Sequence, residues 1–252
     1  MCGRYELHSS PAAIALAFGL SQPPSLTPRY NIAPMTDVPI VRIDSTGARE
    51  CVGMRWGFVP RWAKDPSTGY KMINARGETI AERPAFRTAY RYHRCLLPAD
   101  GFYEWQALPG KPGRGERARK LPMHIGMKDR APFGLAGVFE RWRNPDGTVL
   151  DTCAIVTTEA NALLRDVHER MPVIIAPADY DRWLDSSNED PADLMAPYPP
   201  DAMAYYPVSS RVSAPANDDP SLIERVEQAD TEGAEADAAD DTPPAPEQES
   251  LF

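Results

Sequence analysis

The chain has no apolar run approaching the about 18 residues that a membrane-spanning helix requires. Its early apolar stretch, residues 12–20, follows Ser10-Pro11, which reads as a helix cap and first turn. Only Arg4 stands before it as a positive flank, and no small-x-small cleavage site follows, so a helix is expected there rather than a secretory leader. Cysteine is scarce: four residues, at 2, 51, 95 and 153, with no CxxC pair. That spacing excludes a zinc knuckle and a dense disulfide framework, and it suits a reducing cytoplasm. Histidine is equally sparse, and His8, His93 and His124 have no ligand-like spacing, so neither a metal nor a cofactor is expected. Basic residues are nearly missing from one end. From Ser213 to Phe252 Arg225 stands against twelve acids, a charge of −11. The whole chain carries −9, which leaves residues 1–212 at +2: a mildly basic body with an acidic appendage.

What is present is ordinary for a globular protein: 252 residues, 42% hydrophobic and 25% charged. The 27 prolines call for many loops and short elements. Strands are expected over residues 38–43, 51–56, 71–75, 94–97, 101–105, 123–127, 134–139 and 152–157. Helices are expected over 11–18, 161–167 and 178–184, and Asn144-Pro145-Asp146-Gly147 reads as a hairpin turn. Residues 109–120 read as a solvated basic loop. Many short strands with few helices give an α+β fold class: a β-rich single domain of twisted antiparallel sheets, barrel-like, over residues 1–212. Residues 213–252, rich in Ala, Asp, Glu and Pro, cannot bury enough apolar surface to offset their ordering entropy and are expected to be disordered.

Four segments can carry chemistry. In Met1-Cys2-Gly3-Arg4 the small second residue permits removal of Met1, which leaves Cys2 as the terminus. Its α-amine, titrating near about 7.7–8.0, and its thiol, near about 8.5, then sit on adjacent carbons. An aldehyde takes an imine from the amine and a five-membered ring from the thiol; acyl transfer, with the amine as base, uses the same pair. By position alone, Cys2 is also readable as an early residue without a role. If extended, Ile73-Asn74-Ala75-Arg76-Gly77-Glu78 puts Asn74, Arg76 and Glu78 on one face, as an anion grip or as a surface ion-pair ladder. In Gly101-Phe102-Tyr103-Glu104-Trp105, Glu104 shares a face with Phe102; burial there raises a carboxyl towards acid–base use, whereas an edge strand leaves it in water. In Asp166-Val167-His168-Glu169-Arg170-Met171-Pro172 the proline ends any helix before it, so His168 lies at a helix end or in the following loop, and Arg170 can fork a phosphate.

In order along the chain, Met1-Cys2-Gly3-Arg4-Tyr5, Arg29-Tyr30-Asn31-Ile32-Ala33-Pro34, Trp56-Gly57-Phe58-Val59-Pro60 with Trp62, Ile73-Asn74-Ala75-Arg76 with Glu78, Ala99-Asp100-Gly101-Phe102-Tyr103-Glu104-Trp105, Ile155-Val156-Thr157, His168-Glu169-Arg170-Met171-Pro172 and Pro207-Val208-Ser209 resemble the successive signatures of the SRAP (SOS response-associated peptidase) family. The resemblance spans about residues 2–212. It implies a cytoplasmic monomer, nucleoid-associated at replication forks, with a basic groove for single-stranded DNA. Cys2 would capture the ring-opened aldehyde of an abasic site as a thiazolidine through lyase-like imine chemistry. By motif match Glu104 would shuttle protons, His168 would assist ring opening and crosslink reversal, and Asn74 would hydrogen-bond the sugar. Arg4, Arg76 and Arg170 match phosphate-contacting positions, Trp62 and Pro34 would line the path of the strand, and Thr157 belongs to the same DNA-binding set. The "peptidase" of the name implies autoproteolytic release of the residue before the cysteine.

The last five residues, Gln248-Glu249-Ser250-Leu251-Phe252, resemble the peptide with which bacterial DNA-repair and polymerase proteins bind the replication sliding clamp. Leu251 and Phe252 would fill an apolar pocket and Gln248 would bond at its rim. Two other readings use the same residues. An N-terminal-cysteine amidohydrolase or thiol peptidase would turn over an amide with no DNA adduct. A non-covalent reader of modified bases would be indifferent to Cys2→Ala.

Overall fold

The computed structural model describes residues 2–109, 119–144, 146–188 and 190–227. Its elements are β1 (Tyr5–Leu7), α1 (Pro11–Phe18), β2 (Arg29–Ile32), β3 (Asp37–Ile43), β4 (Arg49–Trp56), β5 (Asn74–Arg76), α2 (Arg87–Tyr92), β6 (Arg94–Ala99), β7 (Gly101–Ala107), β8 (Lys120–Met127), β9 (Phe133–Arg143), β10 (Val149–Glu159), β11 (Arg170–Pro172), β12 (Ile174–Ile175), α3 (Tyr180–Leu184) and β13 (Met203–Pro207). Strands β10, β4, β3, β6 and β9 pair in that order, and β9 pairs back onto β10, closing a five-stranded barrel. Closure satisfies edges that β-branched, apolar strands would otherwise expose. Within the barrel only β4 and β10 run parallel, with Cys153 opposite Trp56. The second sheet has the order β13-β8-β7-β1-β2. The result is a β-rich α+β single domain, as the strand pattern predicts.

The core follows from the alternation. Ile40, Leu96, Leu97, Leu135, Val138 and Ile155 are fully buried, and Tyr5 of the second sheet meets Trp56 of the barrel edge-on, with centroids 5.4 Å apart. The Trp56 indole N–H donates to Ile73 O at 2.8 Å, which satisfies the one polar atom of that ring. Helix α1 starts as its sequence predicts: Ser10 caps Ala13 N, Pro11 opens the first turn, and Gly19 closes it with a left-handed φ of 64°. No helix among the described residues is long and apolar enough to cross a membrane.

Several expectations change on inspection. Residues 161–167 form turns instead of a helix, because Asn161 Oδ1 accepts from both Leu163 N and Leu164 N at 3.1 Å and ties the segment locally. The strand expected over 71–75 begins only at Asn74, since Pro66–Lys71 forms a 3₁₀ turn. Disorder does not begin at Ser213: Leu222 is fully buried, Val208 bridges Arg225, and Asp218 accepts from Asn31 N at 3.1 Å. One buried leucine and an acid aimed at a strand edge order residues 213–227 despite their composition. Most of the basic loop (110–118), Pro145 of the hairpin turn, and residues 228–252 with Gln248, Leu251 and Phe252 lie outside the described residues.

Candidate active site

Cys2 leads into β1, whose partner β7 carries Glu104. Tyr5 pairs with Phe102, and Tyr103 N donates to Arg4 O at 2.9 Å, which extends the ladder towards the chain start. Cys2 is fully buried. Burial pushes its thiol well above the ordinary range, and the nearby charge of Glu104 pushes it further, so the thiol is held protonated. Glu104 is itself 5% exposed. Burial raises its carboxyl above the ordinary carboxylate value, an effect that His168 partly offsets. The alternation in β7 explains the burial: Phe102, on the same face, is packed in the main core.

His168 Nε2 lies 4.0 Å from Glu104 Oε2. Its other nitrogen, Nδ1, is held by the Arg170 backbone, 3.0 Å from the N and 3.2 Å from the O, which turns the Nε2 edge of the ring towards Glu104. The turn over residues 162–167 places the ring directly after it, and the proline at 172 keeps Met171 extended in β11.

Asn74 comes from the barrel side. Strand β5 runs parallel to β10, setting Asn74 opposite Ile155 and Arg76 opposite Thr157. Asn74 Nδ2 donates to Cys2 O at 2.8 Å and so ties the two sheets at the cysteine. Its Oδ1 is buried with no hydrogen-bond partner among the described residues. The row expected of Asn74, Arg76 and Glu78 breaks at Gly77, where the chain enters a 3₁₀ turn. Glu78 turns instead to Arg170: both guanidinium ends meet both carboxylate oxygens, at 2.7 and 3.0 Å. That fork holds the Glu78 carboxyl below its usual value. Arg170 also donates to Thr157 O at 2.7 Å and Thr157 Oγ1 at 3.1 Å.

The structure therefore gathers Cys2, Asn74, Glu104 and His168, with Arg170, Thr157 and Glu78 alongside. Thr157 is fully buried and serves as an anchor for Arg170. Arg4 turns away to Asn31 Oδ1 (2.9 Å) and Val212 O (3.1 Å), and with Asn31 it pins residues 212–217 to the second sheet. Arg76 is exposed, Pro34 is half-buried in the turn after β2, and Trp62 stands 62% exposed on the loop between β4 and β5. These three lie outside the hydrogen-bonded cluster. Tyr70, 68% exposed on the same loop as Trp62, is a second aromatic that the motifs did not mark.

Known proteins with this sequence pattern are numerous. The family model described as SOS response associated peptidase (SRAP) matches residues 1–215. The chain is 43% identical to the abasic site processing protein YoqW of Bacillus subtilis (strain 168) over 231 residues, 89% of this chain and 99% of that one. It is 28% identical to the abasic site processing protein HMCES of Rattus norvegicus over 266 residues, 88% of this chain and 75% of the other. A solved structure of a Bacteroides thetaiotaomicron protein matches with a TM-score of 0.76 at 26% identity, covering 90% of this chain and all of that one. A phage-related protein from Bordetella bronchiseptica matches with a TM-score of 0.65 at 31% identity, covering 82% of this chain and 94% of the other. The chain belongs to the SOS response-associated peptidase family.

Proposed function

We propose that this protein captures abasic sites in single-stranded DNA, forming a thiazolidine with Cys2 once Met1 is removed. The observation that carries the reading is the grip on Cys2: its carbonyl is held by Asn74, and its thiol is buried within the influence of Glu104. The names of the relatives, abasic site processing proteins, point the same way.

The chemistry balances with the groups at hand. The Cys2 amine adds to the ring-opened aldehyde, and the carbinolamine loses water to give an imine. A carboxyl with a raised pKa remains protonated long enough to donate to the departing hydroxyl, which is the part of Glu104. Glu104, now ionised, takes the thiol proton as sulfur bonds the carbon of the protonated imine, which leaves a neutral ring nitrogen and restores the carboxyl. His168, with Nε2 towards Glu104, exchanges protons with the sugar oxygen during ring opening and reversal. Asn74 Oδ1 accepts from the sugar hydroxyl. Arg76 offers charge to phosphates, Arg170, anchored by Thr157, does so only by exchanging its Glu78 partner for one, and Arg4 steadies the segment beside the strand's path. Trp62 with Pro34 gives an unpaired base a surface to stack on, a mode of binding that favours single strands.

The test is a single-stranded oligonucleotide with one abasic site, mixed with protein whose Met1 removal is verified by mass spectrometry. A heat-stable shifted band on a denaturing gel is expected from wild type, and none from Cys2→Ala. If processed, folded wild type gives no band but cleaves an amide, the amidohydrolase reading replaces this one. The C-terminal Gln248-Glu249-Ser250-Leu251-Phe252 is proposed to tether the protein to the replication sliding clamp, raising its local concentration where abasic single strands arise. Deleting those five residues is expected to abolish binding to purified clamp in surface plasmon resonance while leaving the gel band intact. Equal binding by the truncated protein removes the tether from the proposal.

A further inference from the structure

A second group of reactive side chains sits away from Cys2, at the start of β7. Glu6 is 1% exposed, Asp100 8% and His124 7%, so three polar side chains are withdrawn from water together, with the half-buried His8 beside them. His8 Nδ1 lies 2.5 Å from Glu6 Oε2 and 3.5 Å from Asp100 Oδ2. One donor atom from each of Glu6, His8 and Asp100 falls within 4.8 Å of the others. A cavity of about 650 Å³ opens onto all four side chains.

The surroundings hold these donors in place. His124 Nε2 meets Glu6 Oε1 at 2.9 Å, fixing one carboxylate oxygen and leaving the other directed at His8. Asp100 Oδ2 accepts from His8 N and Ser9 N at 2.7 Å, and its Oδ1 from Ser9 Oγ at 2.5 Å. Gly101 makes the room: a Cβ there would stand 2.3 Å from His124 Nε2 and 2.8 Å from Glu6 Oε1, so any side chain at this position would break the cluster. His124 lines the cavity, and its buried Nδ1 has no hydrogen-bond partner among the described residues.

The geometry points to a binding site for one divalent transition-metal ion, zinc by its donor chemistry, held by Glu6, His8 and Asp100 at the wall of this cavity. Two carboxylates and one imidazole are a borderline donor set that suits zinc better than calcium or magnesium. Zinc bonds of about 2.0–2.2 Å place tetrahedral donors roughly 3.3–3.6 Å apart. The His8–Asp100 separation of 3.5 Å already fits that spacing. The 2.5 Å His8–Glu6 contact must open by roughly 1 Å, by a shift of the 36% exposed His8 ring along the face of Tyr30, on which it stacks. The ion replaces the proton shared by His8 and Glu6, and that proton leaves to solvent. A divalent cation also balances the two carboxylate charges. His124 becomes the outer group that orients Glu6, and the fourth position is left to a water or ligand in the cavity. Sequence spacing hid the set, because Glu6 lies in β1 and His8 just past its end, while Asp100 arrives from the β6–β7 junction.

The test uses the full chain, stripped with EDTA, in a Cys2→Ala background so that the active-site thiol cannot bind metal. Calorimetric titration with zinc chloride is expected to give one equivalent. Titration with cobalt(II) is expected to give a visible band of a four-coordinate site without thiolate charge transfer, which excludes Cys51 as a ligand. His8→Ala and Asp100→Asn, each checked for folding by circular dichroism, are expected to weaken zinc binding by at least about tenfold. Absence of binding to the Cys2→Ala protein overturns the inference. So does unchanged affinity in either folded variant. Neither result bears on DNA capture, because this cluster shares no residue with that site.

Discussion

Glu104→Gln is expected to slow adduct formation by about 10²–10⁴-fold and, at the same time, to raise the melting temperature of the protein. Both effects come from one fact: the carboxyl is buried and its pKa is pushed above the ordinary value of 4.5. A raised folded-state pKa means that the native state prefers the protonated form. Below the unfolded value the group costs nothing. As the pH rises from 4.5 through the raised value, ionisation penalises the folded state more than the unfolded one, so stability falls across that window. Wild type therefore carries a penalty that grows towards neutrality, and glutamine, which fills the same space without charge, removes it. The glutamine variant cannot give up and retake a proton, so imine formation and sulfur addition lose their acid and base. Scanning fluorimetry from pH 4 to 8 should show matching melting temperatures at the acid end and a growing advantage for the variant towards neutrality. Single-turnover gels at neutral pH should show the rate loss. Equal melting temperatures at every pH would mean that the carboxyl is not a buried charge, and a wild-type rate would remove it from the mechanism.

The barrel was legible in the sequence because its strands are long and apolar on alternate residues. The patterns at 38–43, 51–56, 94–97 and 152–157 fall within β3, β4, β6 and β10. The short strands β1, β2, β11 and β13 were not, since three to five residues carry too little periodicity to register. Helix α2 was missed because Arg87–Tyr92 has neither a capping side chain nor an apolar stripe and is helical through packing on β6 and β9. The candidate site was legible as separate words: Cys2, Asn74, Glu104 and His168 each sat in a segment whose residue types suggested proton or anion chemistry. What no spacing rule contains is how distant segments meet. Asn74 reaches the Cys2 carbonyl 72 residues away only because β5 lies on β10 and the two sheets pack together. The Arg170–Glu78 fork likewise crosses 92 residues and diverts an arginine that the motif alone offers to phosphate.

Arg94→Ala is expected to cost about 3–5 kcal/mol of folding stability. Arg94 is 3% exposed. Its guanidinium donates to five backbone carbonyls: Trp183 O at 2.5 Å, Tyr90 O at 2.6 Å, Arg91 O at 3.0 Å, Asn188 O at 2.8 Å and Asp185 O. Each carbonyl belongs to the end of α2, the end of α3 or the loop after it, where helices leave acceptors unmet. One side chain thus serves as the C-cap of two helices and binds both to β6. The charge is answered by carbonyl dipoles and by the faces of Tyr90 and Trp183, 6.0 and 5.8 Å from the guanidinium carbon. Burial still lowers its pKa, as an incompletely repaid desolvation should. Alanine would leave the carbonyls stranded, and lysine, with three donors on a point charge, would recover only part. For a chain of this length each kcal/mol is worth about 2–4 °C, so Arg94→Ala should melt at least roughly 6 °C below wild type. Because β6 leads through Asp100 into the strand that bears Glu104, but touches no group of the Cys2 cluster through Arg94, capture in the cold should stay near wild type. On warming, it should fail at the variant's own melting temperature. A variant that melts with wild type would show that water satisfies these carbonyls and that the arginine is dispensable. A variant that folds but is inactive in the cold would show that the packing of α2 and α3 reaches the site.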